Sequence, residues 1–456
     1  MAGIAFRLQK LVKGESYSDL IRAYLYSAII STGPFLVIIG TLGILKALIQ
    51  TRLTIDEGQL LLSLIVYCYA FSMIAVSPFL YVVTRYLADK YYLKEIHTFT
   101  ASYLSVLYTV FIVQSLISIP FIYSLDLYFV SKITLYCLFQ FVGGIWIAMI
   151  YLSAGRSYLW IVGAFVTGGI LGVILSSVLG QNYGFAGFLN GFGFGQGVIF
   201  LILTCRIFFE FGYASSHNFG FFSYFRSHPY LMLTGVFYYL GIWIDKFIFW
   251  FSPYADVIEP QVRVYTNYDT PMFLSYLTVV PSMAFFLVQM ETSFVKYYNA
   301  YYKSVRERSS LNTIRSRRQD MIQNLSQHFQ KYALFQGVFS FVVILSLVIL
   351  LPNMVQGLHL NPYQTGIFRI GILGAFLLMG FLMILNIVFY FDFQRDAFLF
   401  SLVLFLTNTI ATLVTLKIGY EAFGFGMTVS ALITVIFAFY VLNKKLKDLD
   451  YWTFMH

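Results

Sequence analysis

Long apolar stretches alternate with short polar connections along nearly the whole chain. Because a bilayer core needs about 20 apolar residues per helix, stretches of this size predict transmembrane helices. They are Ala23–Ile49, Leu60–Val83, Phe99–Tyr123, Ile133–Leu152, Tyr158–Leu179, Ala186–Phe209, Tyr230–Phe251, Pro271–Phe294, Tyr332–Leu351, Gly366–Tyr390, Ala397–Leu416 and Ala422–Leu442. We therefore predict an all-α polytopic membrane protein with about 12 transmembrane helices.

The basic residues fall unevenly between alternate connections. If the N-terminus is placed inside, 22 of the 29 Lys and Arg residues lie in cytoplasmic segments and five lie on the opposite side. Cytoplasmic loops normally carry this excess. Since a missed or extra helix would invert every later loop, the consistent bias favours an even helix count. We expect an inner-membrane protein with both termini in the cytoplasm.

A polar connection at 210–229 divides the predicted spans into six and six, which suggests two lobes. The chain starts with an amphipathic segment, either an interfacial helix or a basic tail that only sets orientation. The expected divisions are the N-terminal segment 1–22, the N-lobe 23–209, the cytoplasmic linker 210–229, the C-lobe 230–442 with a basic cytoplasmic loop at 296–331, and the cytoplasmic tail 443–456.

Composition supports this interpretation, because 59% of the residues are hydrophobic and 11% are charged, against about 25% charged in soluble domains. The net charge of +9 comes from basic residues concentrated in the predicted cytoplasmic segments, as is usual for membrane proteins. We therefore expect the chain to contact membrane lipid and not nucleic acid. Cys68, Cys137 and Cys205 lie inside apolar runs without metal-ligand spacing. We therefore expect no disulfide, metal or other cofactor.

Membrane-embedded enzymes make demands that this sequence does not meet. An acyltransferase would use an intramembrane histidine as base, but all six histidines lie in loops or at the terminus. A processive sugar synthase needs a nucleotide-sugar domain larger than any connection here, and an ATP-driven pump needs a P-loop. The sequence favours a secondary transporter or flippase and not an enzyme, while a channel or scaffold subunit stays open.

Asp245 and Lys246 are adjacent charged residues within the seventh span. A charge at the bilayer centre costs about 2.5–3.5 kcal/mol on insertion scales, so such residues normally face protein or water. Neighbouring residues on a helix point about 100° apart. We therefore expect Asp245 to face a cavity while Lys246 pairs with a neighbour or extends to the interface. A packing or anchoring role for both residues is the alternative.

Two further charged residues lie near span ends. Glu291 lies near the cytoplasmic end of the eighth span and is a candidate gate or ion-pair residue, although a carboxylate at the interface can also be solvated. Arg369 lies three residues into the tenth span. Its guanidinium could hold a sugar hydroxyl or a carboxylate, or anchor the helix to headgroups.

Glycines recur every four residues at Gly187, Gly191 and Gly195. Small residues at this spacing allow two membrane helices to approach closely. A phosphate-binding loop would also need a lysine and a preceding strand, which this segment lacks. The pattern therefore predicts a helix-packing face.

Basic residues are concentrated in the predicted loop 296–331. The sequence suggests a docking surface for an acidic partner or for anionic lipid. The alternative is that the charges only set the orientation of the chain. The arginines proposed for docking are Arg306, Arg308, Arg315, Arg317 and Arg318.

Six short stretches spread along the chain carry a family resemblance. They are Met1-Ala-Gly-Ile-Ala-Phe, Arg22-Ala-Tyr with Gly33-Pro34 beyond it, Thr84-Arg-Tyr-Leu-Ala-Asp, Gly241-Ile-Trp-Ile-Asp-Lys-Phe, Tyr268-Asp-Thr-Pro-Met-Phe and Glu291-Thr-Ser-Phe. In these stretches the chain resembles the PelG family, inner-membrane exporters of the Pel exopolysaccharide within the multidrug, oligosaccharidyl-lipid and polysaccharide transporter superfamily. The similarity is collinear over nearly the whole chain.

The resemblance implies two six-helix lobes around a central cavity, with alternating access. It also implies export of a nascent, amino-sugar-rich polymer for a biofilm matrix, a cytosolic glycosyltransferase that makes the polymer, and further membrane subunits. A polymer that crosses a cavity needs aromatic faces and hydroxyl groups more than a fixed charge. The candidate substrate path comprises Tyr238, Tyr239, Trp243, Tyr276 and Asp245, together with Lys246, Glu291 and Arg369.

Two other functions stay open at this point. One is a cation-coupled flippase or antiporter of the same superfamily, which would move lipid-linked oligosaccharides or drugs without any glycosyltransferase. The other is a membrane scaffold that holds a glycosyltransferase and transports nothing.

Overall fold

The structure is a computed structural model that describes residues 17–213, 217–349 and 360–455. Within these ranges it describes the side chains from Tyr26 onward, except those of Glu291, Ile349 and Met455. Most of the predicted amphipathic segment 1–22 therefore lies outside the described residues.

The described chain is almost entirely helical. Its first half contains α1 (Tyr17–Gln50), α2 (Ile55–Tyr92), a 3-10 turn (Ile96–Thr98), α3 (Phe99–Ser124), α4 (Phe129–Ala154), a long helical stretch Tyr158–Phe211 that comprises α5 and α6 as described below, α7 (Phe221–Ser227) and α8 (Pro229–Trp250). A β-hairpin follows, with antiparallel strands β1 (Asp256–Glu259) and β2 (Val262–Val264).

The second half begins directly after the hairpin. It contains α9 (Thr266–Leu277), α10 (Val280–Gln289), a π-helical turn (Met290–Phe294), α11 (Val295–Arg306), α12 (Leu311–Ile349), α13 (Pro362–Tyr390), α14 (Gln394–Ile418), a 3-10 turn (Tyr420–Ala422), α15 (Phe425–Lys447) and α16 (Leu449–Met455).

The 54-residue stretch Tyr158–Phe211 contains two helices and not one. Gly184 has φ 55° and ψ −133° within it, a backbone conformation open to glycine and strained for other residues. The break separates α5 (158–183) from α6 (185–211), each long enough to cross a bilayer. Among the described residues, 11 continuous helical segments have the length and apolarity of membrane spans. With this division there are twelve, which confirms the predicted all-α polytopic fold.

Glycines allow α5 and α6 to pack closely. A methyl group at Gly191 would overlap the backbone of Ser176, and one at Gly187 would overlap the carbonyl of Leu179. The Ser176 hydroxyl donates across the same contact to the carbonyl of Phe188, at 3.1 Å. The glycine packing face predicted from the four-residue spacing is confirmed.

The predicted basic loop 296–331 is mostly helical. The helix α11 continues beyond the eighth span as far as Arg306, and α12 begins at Leu311, well before the ninth apolar stretch. The eighth span is interrupted at Thr278 and Val279, and the helix starts again at Val280 with Pro281 in its first turn. Proline fits there because the first residues of a helix have no intrahelical partner for an N–H group.

Contacts divide the described residues into two compact units. The first, called here the C-terminal unit, lies within Met1–Thr32, Ile244–Ile248 and Thr266–His456. The second, the N-terminal unit, comprises Gly33–Trp243 and Phe249–Tyr265. The boundaries of the two six-helix lobes stay a prediction from the sequence.

Substitution of Gly191 by alanine tests the packing of α5 against α6. The added methyl group meets backbone that cannot rotate away, so we expect a loss of about 1–3 kcal/mol in stability. Gly163→Ala is the matched control, because nothing lies within 4 Å of a methyl group at that position of α5. Thermal unfolding of the purified proteins in detergent measures both. Equal midpoints for the two variants would contradict close helix packing at Gly191.

Candidate functional site

Asp245 and Lys246 form a buried ion pair in α8. The Lys246 Nζ lies 3.1 Å from Oδ1 and 3.0 Å from Oδ2 of Asp245. Asp245 is 0% exposed and Lys246 is 7% exposed. Of the two expectations for Lys246, pairing with a neighbour is confirmed, and the partner is Asp245 itself. The flexible lysine side chain folds back across the 100° that separates the two positions.

The helix α9 supplies two tyrosines to this pair. The Tyr268 hydroxyl donates to Asp245 Oδ2 at 2.8 Å, and Tyr268 is itself buried. Lys246 Nζ lies 3.5 Å from the Tyr276 hydroxyl and 5.2 Å from the centroid of its ring. Asp269, next to Tyr268, adds a second carboxylate to the electrostatic surroundings of Lys246. All these residues belong to the C-terminal unit.

The cluster is suited to holding charge and hydrogen bonds. A buried pair gains Coulomb attraction but loses hydration on both ions, so replacement of the whole pair by apolar groups is often neutral. The carboxylate, the ammonium and the two phenols supply both donors and acceptors to a polar ligand. Among the side chains that the structure describes, no group of three or more His, Cys, Asp or Glu is arranged to hold a metal ion.

Tyr268 and Asp269 are the residues around the pair that the candidate path omits. They belong to Tyr268-Asp-Thr-Pro, which forms a polar start to an otherwise apolar span. The sequence does contain a signal for the contact between Tyr268 and Asp245. A tyrosine next to an aspartate starts the span that follows the one with the intramembrane carboxylate.

Three other predicted path residues lie on α8 but belong to the N-terminal unit. Tyr238 and Tyr239 meet edge to face, with ring centroids 5.1 Å apart. Trp243 packs against Trp250, with centroids 6.4 Å apart. Their presence on the path stays a prediction.

Among the described side chains, Arg369 makes no recorded bond to the cluster, and the side chain of Glu291 is not described. The backbone of Glu291 lies in the π-helical turn Met290–Phe294, and its side chain lies outside the described part of the chain. The Arg369 guanidinium donates to the carbonyl of Leu347 at 3.4 Å. Its Nε has no partner among the described residues.

One of the five docking arginines already has partners within the chain. Arg318 forms a 2.7 Å ion pair with Asp450 of α16 and donates to the carbonyl of Lys447. Tyr301 donates to the same aspartate at 3.2 Å, so the tail is attached to α11 and α12. The four arginines with exposed side chains are Arg306, Arg308, Arg315 and Arg317.

Removal of one charge from the buried pair should be more damaging than removal of both. Asp245→Asn leaves the Lys246 ammonium without its carboxylate, and we expect a loss of about 3–5 kcal/mol in stability. The double variant Asp245→Asn/Lys246→Met has no buried charge at these positions and should unfold near the wild-type temperature.

Thermal unfolding in detergent compares these proteins. Glu307→Gln is the matched control, because Glu307 and Lys303 form an exposed ion pair at 3.7 Å, and exposed pairs contribute about 0–1 kcal/mol. If Asp245→Asn were as stable as the wild-type protein, the buried pair described above would be refuted.

Comparison with solved structures identifies the fold. The chain is similar to a MOP superfamily transporter from Pyrococcus furiosus, with a TM-score of 0.60 and 11% identity over 97% of this chain and 98% of that one. It is similar to the MATE transporter VcmN from Vibrio cholerae, with a TM-score of 0.63 and 10% identity over 99% of both chains. It is also similar to an outward-facing multidrug resistance MATE family transporter, with a TM-score of 0.59 and 12% identity over 97% of this chain and 98% of that one. The chain therefore has the fold of these transporters.

Comparison of sequences identifies the family. No curated protein matches the chain. The family model PelG, described as "Putative exopolysaccharide Exporter (EPS-E)", matches residues 1–454. Because this match covers nearly every residue, the chain belongs to the PelG family of exopolysaccharide exporters, and it is a multi-pass membrane protein with a transporter fold.

Proposed function

We propose that this protein exports a nascent, amino-sugar-rich exopolysaccharide across the cytoplasmic membrane for a biofilm matrix. The observation that carries the proposal is the family match over residues 1–454, because it includes every span and not a single module. The substrate is a growing polymer, and transport proceeds by alternating access.

The buried cluster in α8 and α9 is the proposed point of contact with the polymer in the C-terminal unit. Sugar hydroxyls both donate and accept hydrogen bonds, so they can exchange with the bonds among Asp245, Lys246 and Tyr276. An amino group on the sugar favours the Asp245 carboxylate, since bonds between charged groups are about twice as strong as neutral ones. The rings of Tyr276 and Tyr268 offer the apolar faces against which sugar rings can lie.

The other path residues extend this proposal along the membrane. We assign Tyr238, Tyr239 and Trp243 to the aromatic part of the path, and Glu291 and Arg369 to its charged ends. Such a path holds a polymer by many weak contacts, which lets each sugar leave as the next one enters.

A cation-coupled flippase or antiporter is the second candidate function. The observation that favours it is the likeness to transporters described as multidrug resistance proteins, at TM-scores of 0.58 and 0.59. In that case the buried carboxylate Asp245 would bind a proton or metal ion in exchange for a drug or a lipid-linked oligosaccharide. Export would then proceed without any glycosyltransferase, which separates it from the first function. A scaffold without transport is the third.

We further propose that a cytosolic glycosyltransferase docks, with other membrane subunits, on the helical segment formed by α11 and the start of α12. Arg306, Arg308, Arg315 and Arg317 have exposed side chains there. Four guanidinium groups on a short helical hairpin attract an acidic surface and speed its association. Arg318 is excluded from this docking surface because Asp450 already neutralises it.

The double variant Asp245→Asn/Lys246→Met tests the export function. It should fold and insert, but the polymer should accumulate in the cytoplasm because the cluster no longer offers its charged partners. Polymer in the cytoplasm and in the medium is measured in cells that carry the variant, the wild type or no copy of the gene, at matched protein levels.

Three outcomes separate the functions. Secretion at the wild-type level by the double variant would refute the role of the pair. Complete loss of polymer synthesis in cells without the gene, with normal secretion by the variant, would favour a scaffold. Drug export by a strain that lacks the glycosyltransferase would favour the antiporter.

Replacement of the four exposed arginines by glutamine tests the docking proposal. We expect less glycosyltransferase to be recovered with the variant than with the wild-type protein. High salt should lower recovery with the wild-type protein and change recovery with the variant little, because exposed charges are screened within about 10 Å at 0.1 M salt. The control variant replaces Lys94 and Arg226 by glutamine, since both are exposed basic residues outside the docking surface. Equal recovery with both variants would show that the arginines only set orientation.

A further inference from the structure

A cavity of about 190 Å³ lies within the N-terminal unit among α2, α3, α4 and the β-hairpin. Its inner walls are buried apolar side chains, including Leu64, Leu135 and Phe139. The hairpin contributes Gln261 at one edge. None of the residues on the proposed polysaccharide path lines this cavity, so it is a separate site.

The side chains that line the cavity indicate which kind of ligand it can bind. Two buried polar side chains among the lining residues are Ser118, whose hydroxyl has no hydrogen-bond partner among the described residues, and Cys68, which is a free thiol. A trapped water needs two to four polar partners, and an apolar cavity of about 150 Å³ is known to stay dry and to bind small hydrocarbons. The cavity therefore suits an apolar group that carries one oxygen acceptor for the Ser118 hydroxyl.

One wall of the cavity is held in place by the hairpin. The Tyr67 hydroxyl donates to the carbonyl of Arg263 at 2.6 Å and accepts from the Arg263 amide at 3.0 Å. The Tyr67 ring also stacks on Trp250, with centroids 4.8 Å apart. A cavity whose walls are fixed before binding loses little conformational entropy when it is occupied.

The edge of the cavity carries exposed apolar side chains, which in a membrane protein are suited to contact with lipid. Ile117 is 45% exposed on α3 and Phe251 is 67% exposed just after α8, and both line the cavity. Ile117 lies seven residues before the end of α3 at Ser124, about 10 Å along the helix axis. For a span that ends at the membrane interface, this depth is close to the level at which the ester linkages of phospholipids meet their acyl chains.

We propose that this cavity binds one acyl chain of a membrane phospholipid. The hydrocarbon occupies the space among Leu64, Leu135 and Phe139, and an ester carbonyl accepts the hydrogen bond of Ser118. The bound lipid fills a void between three spans and the hairpin, so it acts as a structural ligand of the N-terminal unit.

Photolabelling tests the proposal on the full-length protein. The protein is reconstituted in vesicles of phosphatidylethanolamine and phosphatidylglycerol that contain phosphatidylglycerol with a diazirine in one acyl chain. After illumination, labelled peptides are mapped by mass spectrometry. We expect adducts on Leu64 and Cys68, which are 0% and 4% exposed and can be reached only from inside the cavity.

The variant Leu135→Trp fills the cavity and provides the comparison. Adducts on Leu64 and Cys68 should fall about tenfold, which corresponds to about 1.4 kcal/mol in binding. Adducts on Ile170 and Ile174, which are exposed on α5, should not change. A parallel variant, Leu135→Phe, adds less volume and should give an intermediate loss, which guards against a folding defect in the first.

Two results would overturn the proposal. One is the absence of adducts on Leu64 and Cys68 in the wild-type protein while Ile170 and Ile174 are labelled. The other is an equal yield on the buried residues in the wild type and in both Leu135 variants, at unchanged thermal stability. Either result would leave the cavity empty or occupied by water.

Discussion

The lipid core offers no hydrogen-bond partner to a polypeptide backbone, so each crossing must satisfy its own N–H and C=O groups as a helix. This constraint decides where the chain can turn. Gly184, with its positive φ, separates two helices within one long apolar stretch, and Pro281 restarts the eighth span after a short interruption. Because lipid tails are as apolar as leucine, the helices then associate through close contact, and the glycines of α6 provide it.

The lack of polar partners in lipid also applies to side chains, and it explains why Asp245 and Lys246 occur as a pair. Neither charge could remain in lipid alone, and together they form a neutral unit to which Tyr268 donates a further hydrogen bond. A pair of this kind adds little to stability compared with apolar residues of equal size. The pair is therefore the natural place for the polymer contact proposed above, because stability alone does not require it.

Much of the fold could be predicted from the sequence, because span length and four-residue glycine spacing are local properties. The tenth predicted span ends at Tyr390, where α13 ends, and the division near Gly184 follows from the length of the stretch. The contacts within the candidate site could not be predicted from the sequence in the same way. That Lys246 folds back onto Asp245 depends on side-chain packing, and the bond from Tyr268 joins residues 23 positions apart. Nothing local in the sequence indicates that Asp450, 132 residues later, forms an ion pair with Arg318.

Movement of a polymer across the membrane by this protein can be measured in inside-out membrane vesicles that contain the protein and a polymer-forming glycosyltransferase and are supplied with nucleotide sugar. If the protein exports the polymer, new polymer is enclosed in the vesicles and resists a glycoside hydrolase added outside. In vesicles without the protein, the hydrolase should digest all the new polymer. Protected polymer in vesicles that lack the protein would show that export does not depend on it.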